Sequence, residues 1–174
     1  MDDAALADLL RATLARAVDS LVERGIHDES VAELRPARKI ALFTKPPVMA
    51  PLGRAWRLGV FLLDREGGLR ATGSITRVAE AGHPTGLSSS VEKRRDARLA
   101  ATRGRFPPGE VVNFEVGEVR TDAAAIRSGV GPIILVDDVL RVRLPTGGTM
   151  ALEAYLADRM SVMNTDWRPE GYPL

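Results

Sequence analysis

Residues 55–77 constrain the fold more than any other stretch. Ala55-Trp56-Arg57-Leu58-Gly59-Val60-Phe61-Leu62-Leu63 and Leu69-Arg70-Ala71-Thr72-Gly73-Ser74-Ile75-Thr76-Arg77 flank Asp64-Arg65-Glu66-Gly67-Gly68. Two strand-forming runs about a glycine-bearing five-residue turn predict a β-hairpin, because the second half of such a turn takes a positive φ at least cost at glycine. The first run is apolar on both faces, with Trp56, Leu58, Val60 and Leu62 on one and Phe61 and Leu63 on the other. A strand of that kind is central and covered on both sides.

The rest of the chain reads as cover for this hairpin. Leu6, Leu10, Thr13, Ala17 and Leu21 recur at helical spacing over residues 3–24. Gly25 then supplies the left-handed residue of a Schellman ending, and Ile26 its apolar contact with Leu21. Asp28 as N-cap and Pro36 as terminator predict a short helix over Glu29–Leu34. Lys39–Lys45 reads as one strand, with Ile40, Leu42 and Thr44 on one face and Ala41 and Phe43 on the other. Pro46, Pro47 and Pro51, with Val48, Met49 and Leu52 between them, predict a stiff apolar loop folded over the sheet.

Loop 80–90 is rich in glycine and serine, and is expected to be the most mobile part of the chain. Ser89 and Glu92 then have capping-box spacing for a helix that runs to Arg103 and stops at Gly104. Residues 111–119 form a strand whose buried face the pattern leaves open. Thr121–Ser128 reads as a helical turn, and Ile133–Val136 pairs with Val139–Leu144 about Asp137-Asp138. Thr149 is the expected N-cap of a last helix with Leu152, Tyr155, Leu156, Met160 and Met163 as its apolar stripe. An irregular tail, residues 164–174, closes the chain.

Strands joined by tight turns predict an α+β fold: a mainly antiparallel sheet of about six strands, with N-terminal, middle and C-terminal helices packed on it. A half-open barrel is the alternative. A length of 174 residues fits one domain, residues 1–174. A formal net charge of +1 gives no global attraction to nucleic acid or membrane, so electrostatic binding has to come from local clustering. There is no cysteine, which removes disulfides, thiolate nucleophiles and cysteine-bearing zinc sites. With no signal-peptide pattern and no apolar run near 20 residues, a soluble cytoplasmic protein is expected. The excess of arginine over lysine suggests a GC-rich bacterial genome.

Four features bear on function. The segment Glu92–Arg105 sets six basic side chains against two acidic ones, a net +4 that offers a phosphate footprint through Lys93, Arg94 and Arg98. No aromatic residue is interleaved there to stack bases, so nucleic acid is not the expected partner and a solvated helix face is favoured. His83 lies beside Ser88, Ser89 and Ser90, but no nucleophile-elbow motif accompanies it, and the serines are explained by loop and cap. The two histidines are far apart, and neighbouring carboxylates such as Asp137 and Asp138 point to opposite faces of a strand, so no metal site is expected. Arg57, with Arg54 nearby and Thr72 and Ser74 on the next strand, is a candidate anchor for a carboxylate or phosphate.

The function expected from these features is a non-catalytic module that binds a small anionic ligand or a protein partner, without a cofactor. The alternatives are a small enzyme with a pocket at Arg57 and loop 80–90 as lid, or a nucleic-acid accessory protein using the helix 93–105. Trp167 and Tyr172 in the tail are candidate anchors of a homodimer.

Overall fold

In the computed structural model, which describes residues 1–40, 43–78 and 89–163, the chain begins with α1 (Asp3–Glu23), β1 (Glu29–Arg35), β2 (Arg38–Ile40) and β3 (Phe43–Lys45). It continues with β4 (Val48–Leu58), β5 (Phe61–Leu63), β6 (Leu69–Ala71), β7 (Ser74–Arg77) and α2 (Ser89–Arg103). The last elements are β8 (Val111–Phe114), β9 (Gly117–Glu118), α3 (Ala123–Ser128), β10 (Ile133–Val136), β11 (Val139–Arg143), β12 (Thr149–Ala151) and α4 (Leu152–Ser161). No helix among the described residues is long and apolar enough to cross a membrane. Loop residues 79–88, with His83, and the tail 164–174 lie outside the described residues.

The fold is α+β, and its main sheet is mixed: most of its strand pairs are antiparallel, and one is parallel. Seven strands hydrogen-bond in the order β7-β8-β1-β4-β5-β6-β9, β10-β11-β12 form a second sheet, and β2 pairs with β3 alone. The parallel element is β1 with β8, where Ser30 pairs with Val112 and Val31 with Asn113. The strand order runs from β7 at one end to β9 at the other.

The chain divides into two compact units. The first comprises Met1–His27, Trp56–Ala71 and residues 118–163. Its core gathers Leu6, Leu10, Leu14 and Leu21 of α1, Trp56 and Leu58 of β4, Phe61 and Leu63 of β5, and Leu152, Tyr155 and Leu156 of α4. Asp2 caps α1 by accepting from Ala5 N at 2.8 Å. The Ile26 N–H donates to Leu21 O at 3.0 Å and Gly25 has φ +63°, so the Schellman ending forms as its residues predict. Trp56 is fully buried, and its Nε1 donates to Ile26 O at 2.8 Å, which satisfies the one polar group of its ring.

The run 55–63 is two strands, not one. A two-residue turn at Gly59-Val60 reverses the chain so that Leu58 pairs with Phe61, with a positive φ at Gly59 as in a type II′ hairpin turn. Val60 is therefore a half-buried turn residue, while Leu58, Phe61 and Leu62 are buried. The five-residue turn after Leu63 forms as expected: Asp64 N donates to Gly68 O, and Leu63 pairs with Leu69. The Asp137-Asp138 turn also forms, and both aspartates have positive φ, the pattern of a type I′ turn. Thr149 is not a helix cap; it begins β12, and α4 starts after Ala151 with no side-chain cap.

The second unit comprises Asp28–Ala55 and residues 72–117. Here Glu29–Arg35 is a strand instead of the expected helix, because Val31 and Ala32 are buried between ladders to β4 and β8. Asp28 accordingly caps no helix. The proline segment is a strand instead of a loop: β4 runs from Val48, pairing with β1, and carries Leu52 as an extra residue between Val31↔Gly53 and Ala32↔Pro51. Pro51 is tolerated because it sits beside this bulge and β4 pairs with β5 only over Trp56–Leu58. The expected strand 39–45 is instead two short paired strands, with Ile40 paired to Phe43, and Phe43 is exposed.

The core of this unit is smaller, made by Ala32, Met49, Val78, Val112 and Phe114 with Ala97, Ala100 and Ala101 of α2. All four residues of β8 are buried, which explains why its alternation marks no single face. Alanines on α2 allow a close approach: a Cβ on Gly104 would collide with the backbone oxygen of Met49.

Candidate functional site

The basic segment 92–105 becomes α2, which packs on β7 with its alanine stripe inward. Its charged residues Lys93, Arg94, Arg95 and Arg98 are exposed. Where the first half of α2 passes over the sheet, a cleft of about 530 Å³ opens within the second unit. Lys93, Arg94 and Asp96 line its helical wall. Ser74, Ile75, Phe114 and Glu115 line the strand side, and Leu34 and Pro47 complete the apolar surface. This volume lies in the range of small-molecule sites, roughly 300–1,000 Å³. The hollow beside Leu9, Thr13 and Leu140 in the first unit holds about 190 Å³.

The chemistry of the cleft is amphipathic. Ile75 is half exposed beside the buried strand β8, so the cleft offers apolar surface to solvent. Ser74 donates from Oγ to Glu115 Oε2 at 2.7 Å, which uses one acceptor of that carboxylate. Gly73 precedes it because a Cβ there would collide with the carbonyl oxygens of Phe114 and Glu115. Lys93 has no ion-pair partner among the described residues. An exposed ammonium beside apolar surface suits a ligand with an anionic head and an apolar body.

A second polar assembly in the same unit joins a partly exposed guanidinium to buried partners. Arg54 Nε donates to Asp28 Oδ1 at 2.6 Å, Nη1 to Glu110 Oε1 at 2.9 Å and to Ser30 Oγ at 3.2 Å, and Nη2 to the Asp28 carbonyl. Ser30 Oγ donates to Glu110 Oε1 at 2.7 Å. Fully buried Asn113 donates to Glu29 Oε2 at 2.7 Å. Burial disfavours the Arg54 charge, but the Asp28 hydrogen bond and the Glu110 and Asp28 charges outweigh it and hold its pKa above the ordinary value. Such a set locks β1, β4 and β8 together. No local signal in the sequence joins Asp28, Ser30, Arg54 and Glu110, because they come from three separate stretches of the chain.

The expected site residues are thus dispersed. Ser74 lines the cleft, Arg54 is committed to this polar assembly, and Thr72 lies half-buried between β6 and β7. Arg57 belongs to the first unit, half-buried opposite Leu62 in the β4–β5 ladder. Sequence reasoning missed the cleft itself, because its two walls are separated by the whole segment between β7 and α2. Among the described residues, no three His, Cys, Asp or Glu side chains come together as a metal site.

No family model, curated protein or solved structure matches this chain. Function therefore has to be read from the site.

Proposed function

We propose that this protein is a non-catalytic binding module and that the cleft of its second unit takes a small anionic ligand with an apolar body. The observation that carries this reading is Lys93, unpartnered among the described residues, on the wall of a cleft whose strand side exposes Ile75. The ligand's carboxylate or phosphate lies on Lys93, and its apolar part covers Ile75 and Phe114. Ser74 and Glu115 hold the rim.

The test is a thermal-shift screen of carboxylate and phosphate amphiphiles, nucleoside monophosphates among them. A ligand at about a hundred times its Kd raises Tm by about 5–10 °C. Lys93→Glu is expected to abolish the shift and Lys93→Arg to keep it. A shift unchanged by Lys93→Glu, or no shift from any member of the panel, overturns the reading.

A further inference from the structure

The described side chains of the β2–β3 hairpin are exposed, and neither the cleft nor the core explains it. Phe43 is 77% exposed at its end, in register with Ile40. Arg38, Lys39 and Lys45 are exposed along it, and no acidic residue occurs between Leu34 and Gly53. An exposed aromatic ring flanked by cations is the pairing that stacks a base while its neighbours meet phosphates.

The hairpin and the cleft are contiguous. Leu34 and Pro47, which line the cleft, are the chain just before β2 and just after β3. Arg103 Nη1, in the last turn of α2, donates to Pro47 O at 3.2 Å, so the basic helix meets the root of the basic hairpin. Charge is also divided unequally along the chain. Residues 28–55 and 72–117 carry twelve Lys and Arg against eight Asp and Glu, a surplus of four, although the chain as a whole is only +1. Two of those eight, Asp28 and Glu110, are buried on Arg54, which leaves the surface more basic still.

We infer that the anionic ligand is a single-stranded nucleic acid, held along the α2 wall and the β2–β3 hairpin; the inference rests on the cleft reading above. Lys93, Arg98, Lys39 and Lys45 face the phosphates. One base lies over Ile75 and Phe114 in the cleft, and another stacks on Phe43. A single strand is favoured over a duplex because the base faces of a duplex are stacked inside it, whereas unpaired bases have free faces for an aromatic ring and an apolar cleft. Phe43 is the aromatic partner that the helix taken alone lacks.

The experiment is fluorescence anisotropy of the full chain with labelled oligothymidylate and oligouridylate of about 20 nucleotides, longer than the roughly 4–16 that a compact single-strand module covers. Salt is varied from low to physiological ionic strength. Binding is expected, with log K falling against log salt at a slope of about −2 to −4 for some three to five phosphate contacts. The two oligomers distinguish DNA from RNA. Phe43→Ala is expected to weaken binding about fivefold or more without changing the slope, and Lys39→Glu with Lys45→Glu to flatten the slope by about 1.4. Both sites are exposed, so unchanged unfolding curves will show that these variants fold.

Absence of binding at low salt overturns the inference, as does equal affinity for a duplex of the same length, or binding indifferent to Phe43→Ala and to the lysine reversals. Binding to phosphatidylserine vesicles that is lost in Phe43→Ala, with none to either oligonucleotide, assigns the surface to a membrane instead. A small-anion thermal shift that depends on Lys93, without oligonucleotide binding, leaves the cleft reading intact and sinks this one alone.

Discussion

The Tyr155 hydroxyl occupies the space that a side chain at Gly59 would need. It accepts from Val60 N at 2.8 Å and donates to Leu58 O at 3.0 Å, so a residue of α4 clasps the β4–β5 turn within the first unit. Gly59 satisfies two demands together, a φ of +64° and room for that oxygen. Gly59→Ala is expected to lower stability by more than the roughly 1 kcal/mol of a left-handed alanine, because the hydroxyl must also move. Tyr155→Phe removes the partner of the Val60 N–H and should cost about 1–3 kcal/mol, or some 2–12 °C in Tm. A Tyr155→Phe protein melting with the parent would show that the clasp is idle.

Arg54 joins two buried carboxylates, Asp28 and Glu110, through one guanidinium. Arg54→Met takes that shared counter-charge from both. The expected loss is about 3 kcal/mol, at the low end for a broken buried pair because the guanidinium itself is partly exposed. Urea unfolding measures it, and a variant with an unchanged midpoint would mean that water replaces the arginine without penalty.

Gly104 and Gly25 both follow a helix, but for different reasons. Gly25 takes a left-handed φ with nothing within 4 Å of an added Cβ, whereas Gly104 lies against the Met49 carbonyl and the positive φ falls on Arg105. Gly25→Ala is expected to cost about 1 kcal/mol. Gly104→Ala should cost clearly more, since backbone must shift to admit the methyl group. Equal losses in denaturant unfolding would contradict the distinction.

Asp122 caps α3 by accepting from Ala125 N at 2.9 Å, and it also meets Arg120. The Ala125 hydrogen bond first, and Arg120 second, hold its carboxyl below the ordinary 3.8. A depressed carboxyl pKa means that the unfolded chain binds the proton more readily, so the stabilisation is present above about 3.8 and disappears as pH falls through the lower folded-state value. Asp122→Ala is therefore expected to destabilise the protein at neutral pH and to converge with the parent at low pH. A deficit constant from neutral to strongly acidic pH would refute this.

Elements whose signals are local were legible in the sequence alone. Helix α1 with its Schellman ending, the five-residue turn after Leu63, the Asp137-Asp138 hairpin and α3 each depend on caps, turn residues or period within a few positions. The α+β class was readable for the same reason, and so was the charge of 92–105.

Tertiary structure decided what depends on partners distant in the chain. Glu29–Arg35 has a helix-like start and stop, yet becomes a strand because β4 and β8 offer ladders on both sides, and burial of Val31 and Ala32 outweighs a cap. Three prolines read as a loop, but a bulge at Leu52 and a one-sided ladder let Val48–Leu58 run as a strand. The cleft could not be seen in one dimension, because its walls come from β1, β7, α2 and β8. Residue types and spacing set the local turns and helix ends; which strand lay beside which, and hence which side chains met at Lys93 and at Arg54, was fixed by long-range burial of apolar surface.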